Sequence, residues 1–326
     1  MSHAPVLLPE AVAALAPKPG GLYVDATFGG GGYSRALLAQ GGCRVLAIDR
    51  DPEAMGRARA LAGEYPGRLI PAEGRFSELD RLAGEPVDGV VLDVGVSSFQ
   101  LDDARRGFSF RFEGELDMRM EQAGASAMDA VARLSEGALA ELLRDYGEER
   151  EARRVARAIA RARAEAPIRT TAQLAAIVEA ALGGRRGQRL HPATKTFQAL
   201  RILVNDELGE LAGAIAAAER SLKPGGRLVI VSFHSLEDRL VKTALAARSG
   251  ASPGGSRYAP PPEAPPPSFR LLHKGAIEPT PEEAEANPRA RSAKLRAAER
   301  TEAPAWGPLE PPALALRARA EWEEIR

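Results

Sequence analysis

Short apolar runs alternate with helix-forming segments through the N-terminal third of the chain. Residues 22–25 and 44–49 are two such runs, and each ends in an aspartate. The segments that follow them, residues 33–40 and 52–62, have the length and the polar–apolar spacing of helices. Proline in the first turn of the second segment fits a helix start. Because strand patterns alternate with helix patterns, the chain is predicted to form an α/β fold with a parallel sheet covered by helices.

Further strand patterns occur on both sides of a long region that lacks them. They lie at residues 68–70, 87–92, 227–233, 269–274 and 292–299. The run at 87–92 is apolar along its length, which is typical of a strand buried on both faces. A turn is predicted at 223–226, and the last two runs are predicted to form a closing antiparallel pair. Residues 251–268 are rich in Pro, Gly and Ser and are predicted to form a mobile loop.

Between the fourth and fifth strand patterns, helical spacing takes over, most clearly at residues 136–164 and 172–182. The simplest architecture is one doubly wound sheet that is interrupted after its fourth strand by a helical insert. The predicted segments are residues 1–100 and 207–302 for the sheet domain, 101–206 for the insert and 303–326 for a C-terminal tail. A chain of 326 residues, 44% of them hydrophobic, is long enough for one good core and a second unit.

Four consecutive glycines, residues 29–32, follow the first predicted strand. Glycine lets the backbone approach a ligand closely, and a carboxylate at the end of the second strand accepts hydrogen bonds from ribose hydroxyls. Asp49 stands eighteen residues beyond Gly31, which is the place of such a carboxylate. Ser34 replaces the third glycine of the dinucleotide fingerprint, and Asp25 suits a cationic ligand better than a pyrophosphate. The pattern indicates an adenosine-bearing cofactor and favours a sulfonium methyl donor.

Composition narrows the class of protein. Acidic and basic residues balance at 44 each, so the net charge does not by itself indicate a nucleic-acid or membrane partner. A single cysteine, Cys43, excludes a disulfide framework, and the four histidines have no zinc-ligand spacing, so no metal is expected. No apolar run has the length of a membrane span, and the N-terminus lacks the regions of a signal peptide. We therefore expect a cytoplasmic protein with no membrane partner.

Positive charge is concentrated in the predicted insert. Residues 150–201 hold twelve Lys and Arg against three acidic residues. Arg153, Arg154 and Arg157 recur at helical spacing and so largely share one helix face. Two interpretations stay open, namely a solvated face that pairs with nearby glutamates and a surface that contacts RNA phosphates. The apolar stripes of the insert are compatible with a homodimer.

Longer motifs, in order along the chain, carry a resemblance to a known family. They are residues 25–32 (DATFGGGG), 91–98 (VLDVGVSS), 106–111, 116–120, 146–149, 191–201, 204–205, 232–239 (SFHSLEDR) and 287–296. Through them, residues 3–300 resemble the bacterial methyltransferases that modify N4 of a decoding-centre cytidine in small-subunit (16S) ribosomal RNA. The resemblance implies a class I (Rossmann-like) methyltransferase sheet, S-adenosyl-L-methionine as cofactor, and ribosomal RNA or the 30S particle as partner.

The resemblance also implies cofactor contacts at particular positions of this chain. They are Gly31, Gly32, Tyr33, Asp49 for the ribose, Phe76 beside the adenine, Asp93 and Gln100. The family has glycine where this chain has Ala26, and histidine where it has Tyr33. Tyrosine cannot become a cation near neutral pH. We therefore expect the backbone of Tyr33, more than its side chain, to meet the cofactor.

Methyl transfer to an amine is a direct displacement, so positioning supplies most of the catalysis. The lone pair of cytosine N4 is delocalised into the ring, and a hydrogen-bond acceptor on its N–H would improve the nucleophile. Candidates for this acceptor are Asp93, Ser97 and Ser98, although the serines have the alternative role of helix N-caps. Candidates for contact with the RNA are Arg153, Arg154, Arg157, His191, Lys195, Arg201, Asn205 and His234.

Two of these assignments have structural alternatives. His234 directly follows the fifth strand, where α/β sheets bind ligands, and could equally serve the fold alone. Phe108, Phe110 and Phe112 alternate along the chain, which suits either a stacking platform for a flipped base or an apolar edge.

Two other functions compete with the methyltransferase. A non-catalytic RNA-binding or ribosome-assembly factor could retain the cofactor fold, but Asp49, Asp93 and the glycine loop argue against lost cofactor binding. A nicotinamide oxidoreductase is disfavoured by Ser34 and by the basic insert.

Overall fold

The computed structural model of the chain describes residues 5–184, 191–251 and 265–326. Its contacts divide the chain into two compact units. The first unit comprises Met1–Gly95 with Leu208–Pro311, and the second comprises Val96–Glu207 with Pro312–Arg326. The contacts divide the predicted tail at residues 303–326, because they assign Pro312–Arg326 to the second unit. Most of the predicted loop at 251–268 lies outside the described residues.

The described residues form helices and strands in the following order. The strands are β1 (Leu22–Asp25), β2 (Arg44–Asp49), β3 (Leu69–Glu73), β4 (Val87–Asp93), β5 (Leu222–Ser232), β6 (Phe269–Leu271) and β7 (Lys294–Arg300). The helices are α1 (Leu8–Leu15), α2 (Gly32–Ala39), α3 (Pro52–Glu64), α4 (Leu79–Ala83), α5 (Ser98–Asp102), α6 (Ala127–Arg133), α7 (Glu136–Asp145), α8 (Ala152–Glu165), α9 (Thr171–Leu182), α10 (Thr194–Asn205), α11 (Glu207–Ser221), α12 (Ser235–Arg248), α13 (Pro281–Ala286) and α14 (Leu316–Ile325). None of the helices in this part of the chain is long and apolar enough to cross a membrane.

The first unit is built on one seven-stranded sheet in the order β3-β2-β1-β4-β5-β7-β6. Strands β1 to β5 pair in parallel, and β7 runs antiparallel to both of its neighbours. Val90, Val91 and Leu92 of β4 are fully buried, as expected for a central parallel strand. The α/β fold and the closing antiparallel pair are therefore confirmed.

Strand β5 departs from the prediction because it begins before the expected turn. Leu222 pairs with Val87, whereas the next pair joins Arg227 to Gly89. Residues 223–226 of β5 therefore lie opposite a single residue of β4. The predicted turn at 223–226 is an irregularity within the strand.

The second unit is helical, as the loss of the strand pattern predicted. The segment 136–164 forms two helices rather than one, since α7 ends at Asp145 and Glu148 adopts a left-handed conformation with φ of 49°. A Cβ at Gly147 would lie 2.6 Å from the Leu143 carbonyl oxygen, so only glycine fits this close turn. Helix α7 packs against α8, α10 and α14.

A buried ion pair connects distant segments of the first unit. The Glu219 carboxylate on α11 accepts a 2.8 Å hydrogen bond from Arg248 Nε on α12, and both side chains are almost completely buried. The same carboxylate accepts hydrogen bonds from the Ser268 hydroxyl and the Trp306 amide. These bonds connect Ser268, just before β6, and Trp306, after β7, to helices α11 and α12.

We expect Glu219→Gln to lower the free energy of unfolding by about 3–5 kcal/mol, because it leaves the Arg248 guanidinium buried without its countercharge. Urea denaturation followed by circular dichroism would measure the change. The matched control is Glu73→Gln, which breaks an exposed pair with Arg59 and should cost less than about 1 kcal/mol. Equal losses in the two variants would contradict the structural importance of the buried pair.

Candidate functional site

Three aspartates end three neighbouring parallel strands of the first unit. Asp25 ends β1, Asp49 ends β2 and Asp93 ends β4, and the sheet places these strands side by side. The carboxyl ends of parallel strands meet at one edge, which is where open α/β sheets bind ligands. The predicted cofactor residues on the strands are therefore brought together at this edge.

The glycine loop lies between β1 and α2 and requires its glycines for two different reasons. Gly31 has a φ of 78°, and a Cβ there would lie 2.6 Å from the ring of Phe28. Gly32 has ordinary dihedral angles, but a Cβ would lie 2.0 Å from Pro5 Cγ. The loop is therefore closely packed at Gly31 and Gly32, while Gly30 before them is exposed.

Asp49 fixes the loop and keeps acceptor capacity. Its Oδ2 accepts a 2.8 Å hydrogen bond from the Gly29 amide, and its Oδ1 accepts a 2.9 Å bond from the Asp51 amide. Burial raises the pKa of this carboxyl, although the two amides oppose the shift. Each carboxylate oxygen has a second lone pair, so Asp49 can still accept hydrogen bonds from a ribose diol.

The Asp25 carboxylate accepts its hydrogen bonds from within the protein. Its Oδ2 accepts hydrogen bonds from the amide and the hydroxyl of Ser34, at 3.0 and 2.6 Å, in the first turn of α2. Complete burial raises the pKa of Asp25 to about 6, even though the bonds from Ser34 favour the ionised form. The residue that replaces the third glycine of the dinucleotide fingerprint thus anchors a buried carboxylate to the start of the helix.

Asp93 is the least satisfied polar group of the site. Its amide donates a 2.7 Å bond to the Thr27 hydroxyl, but its buried Oδ1 has no hydrogen-bond partner among the described residues. Burial, and then the charges of Asp25 and Glu237, raise the pKa of Asp93 well above its ordinary value. An unsatisfied buried acceptor is costly, and a cationic ligand would both pair with it and favour its ionised form.

The acceptors at this edge are of the kind that S-adenosyl-L-methionine would need. A cationic amino acid portion would pair with a carboxylate such as Asp93, and a ribose would donate to one such as Asp49. Phe76 lies in a short 3₁₀ helix just beyond the end of β3, next in the sheet to the strand that carries Asp49. It is half-buried, which leaves part of its ring able to flank an adenine.

Two other predicted cofactor residues have side chains that are occupied. The Tyr33 ring is buried, and its hydroxyl donates to the Val6 carbonyl oxygen, so its side chain lies in the core. Burial raises the pKa of this phenol further above its ordinary value. The Gln100 side chain, in the second unit, accepts a 2.9 Å bond from the Ser97 amide.

Ser97 and Ser98, the two serine candidates for the amine acceptor, have different environments. Ser97 is the N-cap of α5, and its hydroxyl accepts from the Gln100 amide in a reciprocal capping box. Ser98 is buried, and its hydroxyl has no hydrogen-bond partner within the described part of the chain. Ser97 therefore has the alternative role of an N-cap, whereas the Ser98 hydroxyl is still available to accept from an amine.

His234 has a structural environment in the first unit. It is the N-cap of α12, where its Nδ1 accepts from the Glu237 amide at 3.4 Å. Its Nε2 lies 3.0 Å from Glu237 Oε1, and the other oxygen of this carboxylate accepts bonds from the amides of Phe233 and His234. The side chain therefore holds the start of the helix.

The remaining candidates for RNA contact separate into exposed and occupied groups in the second unit. Arg153, Arg154 and Arg157 are exposed along α8. In contrast, Asn205 is buried and bonds to the backbone of Met118, Met120 and Arg201, which gives it a structural role. Three further candidates also have partners within the protein. Arg201 pairs with Glu207 at 2.7 Å, and Lys195 donates to the Glu148 carbonyl at 2.8 Å. His191 Nδ1 accepts from the Ala193 amide.

The three alternating phenylalanines neither form a strand nor share one environment. Phe108 is buried beneath the guanidinium of Arg106, and the Phe110 ring stacks at 4.4 Å on His191. Phe112 alone is well exposed, with 53% of its surface accessible. The three rings therefore form neither a continuous apolar edge nor a continuous stacking platform.

Comparison with known proteins decides the family of the chain. The model of the MraW methylase family matches residues 1–301. The chain belongs to this family.

Curated relatives in the family are similar over most of their length. A protein from Xanthobacter autotrophicus named ribosomal RNA small subunit methyltransferase H is 59% identical over 307 residues, which cover 93% of this chain and 88% of the relative. The protein of the same name from Methylobacterium nodulans is 59% identical over 314 residues, covering 94% and 93% of the two chains. An rRNA methylase structure from Streptococcus thermophilus is remote, with a TM-score of 0.39 at 12% identity over 93% of this chain and 99% of that one.

Three side chains that shape the site are not among the predicted site residues, although Ser34 disfavours a dinucleotide ligand. Thr27 accepts from the Asp93 amide, Ser34 donates to Asp25, and Glu237 adds negative charge near Asp93. Thr27 and Ser34 flank the glycine run, so a search for polar groups beside the loop would have found them. Glu237 comes from a segment more than a hundred residues away in the chain, and only the fold places it here.

We expect Asp49→Ala to weaken cofactor binding by roughly ten- to a hundred-fold, because a ribose diol loses a charged acceptor worth about 1.5–3 kcal/mol. Isothermal titration with S-adenosyl-L-methionine measures this affinity. Glu73→Gln, an exposed carboxyl in register with Asp49 on β3, is the control and should bind normally. An unchanged affinity in Asp49→Ala would refute the ribose assignment.

A second prediction concerns pH and the buried Asp25. Its folded-state pKa of about 6 lies above its unfolded value, so its stabilising contribution is complete below the unfolded pKa and is lost as pH rises through about 6. We expect cofactor-free Asp25→Asn to gain stability relative to the parent as pH rises from about 4, with a constant difference above about 7. Urea denaturation across this range tests the expectation, and a difference independent of pH would contradict it.

Proposed function

We propose that the chain transfers a methyl group from S-adenosyl-L-methionine to N4 of a decoding-centre cytidine in small-subunit ribosomal RNA. Membership in a methylase family and high identity to proteins named ribosomal RNA small subunit methyltransferase H support the reaction and the RNA. The observation that carries the cofactor assignment is the unpartnered Oδ1 of Asp93 at the edge of the sheet, beside the glycine loop.

The proposed cofactor contacts use backbone and side chains in different ways. Gly31, Gly32 and Tyr33 present backbone at the start of α2, while Asp49 accepts from the ribose and Phe76 flanks the adenine. Asp93 pairs with the amino acid portion. Gln100 completes the predicted set, with its side chain also serving the cap of α5. When bound, the cofactor supplies an electrophilic methyl group on a sulfonium centre.

The residues of the chain then have to position a weak nucleophile. Cytosine N4 needs an acceptor on one N–H so that its lone pair is directed toward the methyl carbon. Asp93 and Ser98 each hold a buried oxygen without a partner in the described chain, whereas the Ser97 hydroxyl already serves the helix. We therefore favour Asp93 and Ser98 over Ser97. Transfer would break the methyl–sulfonium bond as the N–C bond forms, and the methylated nitrogen would be acidic enough to lose its proton to water without a strong base.

The substrate is ribosomal RNA, either free or within the 30S particle. The exposed arginines of α8 are suited to its phosphates, because guanidinium groups form paired hydrogen bonds with phosphate oxygens. Asn205 and Arg201 are left out of this surface because their polar atoms are engaged within the protein. A homodimer and a cytoplasmic location remain predictions from the sequence.

The non-catalytic assembly factor is the second candidate function. Such a protein has no need for a preserved cofactor site, and the intact glycine loop with Asp49 and Asp93 favours the enzyme. The oxidoreductase is disfavoured further because Ser34 and Asp25 together place a buried carboxylate at the helix start, where a pyrophosphate would bind.

The test is methyl transfer from labelled S-adenosyl-L-methionine to 30S subunits that lack the modification, with mass spectrometry of the product nucleosides. We expect N4-methylcytidine with the parent chain, and at least a hundred-fold slower formation with Asp93→Ala, since the variant loses a charged contact in the site. Glu73→Gln is the control that should retain activity. Cofactor binding without transfer to any ribosomal RNA would overturn the proposed substrate, and absence of both would favour the assembly factor.

A further inference from the structure

The second unit contains a cleft that the cofactor site does not explain. It lies among α7, the start of α8 and the start of α14, and has a volume of about 1150 Å³. We call it the arginine cleft after the basic side chains that line it. They are Arg144, Arg150, Arg153, Arg154, Arg157 and Arg317. Three glutamates, Glu136, Glu141 and Glu151, also line it, so positive charge is in excess.

Most of this charge is not neutralised by the protein. Arg144 pairs with Asp145 at 2.7 Å, and Arg157 lies 3.7 Å from Glu136. The other four arginines take part in no salt bridge within residues 5–184, 191–251 and 265–326. Because six arginines outnumber the three glutamates that line the cleft, its net charge is positive and would attract a polyanion.

The C-terminal helix forms one wall of the cleft. Helix α14 is held by Glu321, whose carboxylate accepts bonds of 2.8 and 2.7 Å from the amide and hydroxyl of Ser135, and by Trp322, which is 2% exposed. Before the helix, the Ala315 amide donates to Asp145 at 2.9 Å. The last part of the predicted C-terminal tail is therefore docked in the second unit.

One residue of α14 lines the same cleft as the arginines of α8. A Cβ at Gly137 would lie 2.5 Å from Arg317 Nη1, so the guanidinium passes directly over the glycine near the start of α7. The matched region of the family model ends at residue 301, before this helix begins.

We propose that the arginine cleft binds the phosphate backbone of the RNA substrate, and that α14 is part of this binding site through Arg317. The proposal rests on the proposed function, because it takes ribosomal RNA as the ligand. Arginine is suited to this ligand since its planar fork matches phosphate oxygens and is weakly hydrated. Arginines of α8 and α14 that line one cleft can contact the same sugar–phosphate chain.

The test compares binding of protein-free 16S rRNA over a series of potassium chloride concentrations. The variants are Arg317→Gln and the double variant Arg153→Gln/Arg154→Gln. The control is Arg326→Gln, an exposed arginine at the end of the same helix that lies outside the cleft and pairs with Glu323. We expect the slope of log affinity against log salt to become shallower by about 0.7–0.9 for each cleft arginine removed, and to stay unchanged in the control.

Two accompanying measurements separate the possible failures. Calorimetric affinity for S-adenosyl-L-methionine and the thermal midpoint of unfolding should match the parent in all variants, so that a lost slope reports RNA contact. If Arg317→Gln behaves like Arg326→Gln while the parent methylates ribosomal RNA, the role of α14 is wrong and the proposed function stands. If the cleft variants weaken binding to the 30S particle but not to free RNA, the cleft contacts a protein component and the phosphate assignment is overturned. If the parent neither binds nor methylates ribosomal RNA, the proposed function fails first.

Discussion

Desolvation of carboxylates at one edge of the sheet is the constraint on which the first unit depends. Parallel pairing of β1, β2 and β4 brings three aspartates to the same edge, where burial raises the pKa of each. Hydrogen bonds from the protein offset the desolvation of two of these carboxylates. Ser34 donates to Asp25, and backbone amides donate to Asp49. At Asp93, one oxygen has no hydrogen-bond donor among the residues that the structure describes. The uneven distribution of donors is what distinguishes a ligand site from an ordinary buried cluster.

The glycine loop and the aspartates depend on one another. The Gly29 amide donates to Asp49 within a loop that has positive φ at both Gly29 and Gly31, and Gly31 has no space for a side chain. Asp25 in turn fixes the first turn of α2, which begins directly after Gly31. Loop, helix and acidic edge therefore form a single pre-organised structure, and the energetic cost of holding it is offset by the packed sheet beneath.

In the second unit, the arrangement of charged side chains is the feature that bears on function. Several polar residues that matched the family motifs hold the helices together: Asn205 ties down the 118–120 segment, and Arg201 pairs with Glu207. Arg153, Arg154, Arg157 and Arg317, in contrast, are exposed to solvent. A matched motif therefore does not by itself separate residues that contact a ligand from residues that build the surface around it.

The sequence by itself determined the local features: strand endings at aspartates, the glycine loop, the helical insert and its excess of basic residues. These features depend on neighbouring residues, because periodicity, glycine conformations and charge density are properties of short segments. Only the tertiary structure decided which side chains remain available. It occupied Ser97, His234 and Asn205 with caps and backbone bonds, placed Glu237 near Asp93, and packed α14 against α7. Such outcomes require contacts between residues far apart in the chain, and no local pattern records which distant partner will satisfy a given polar group.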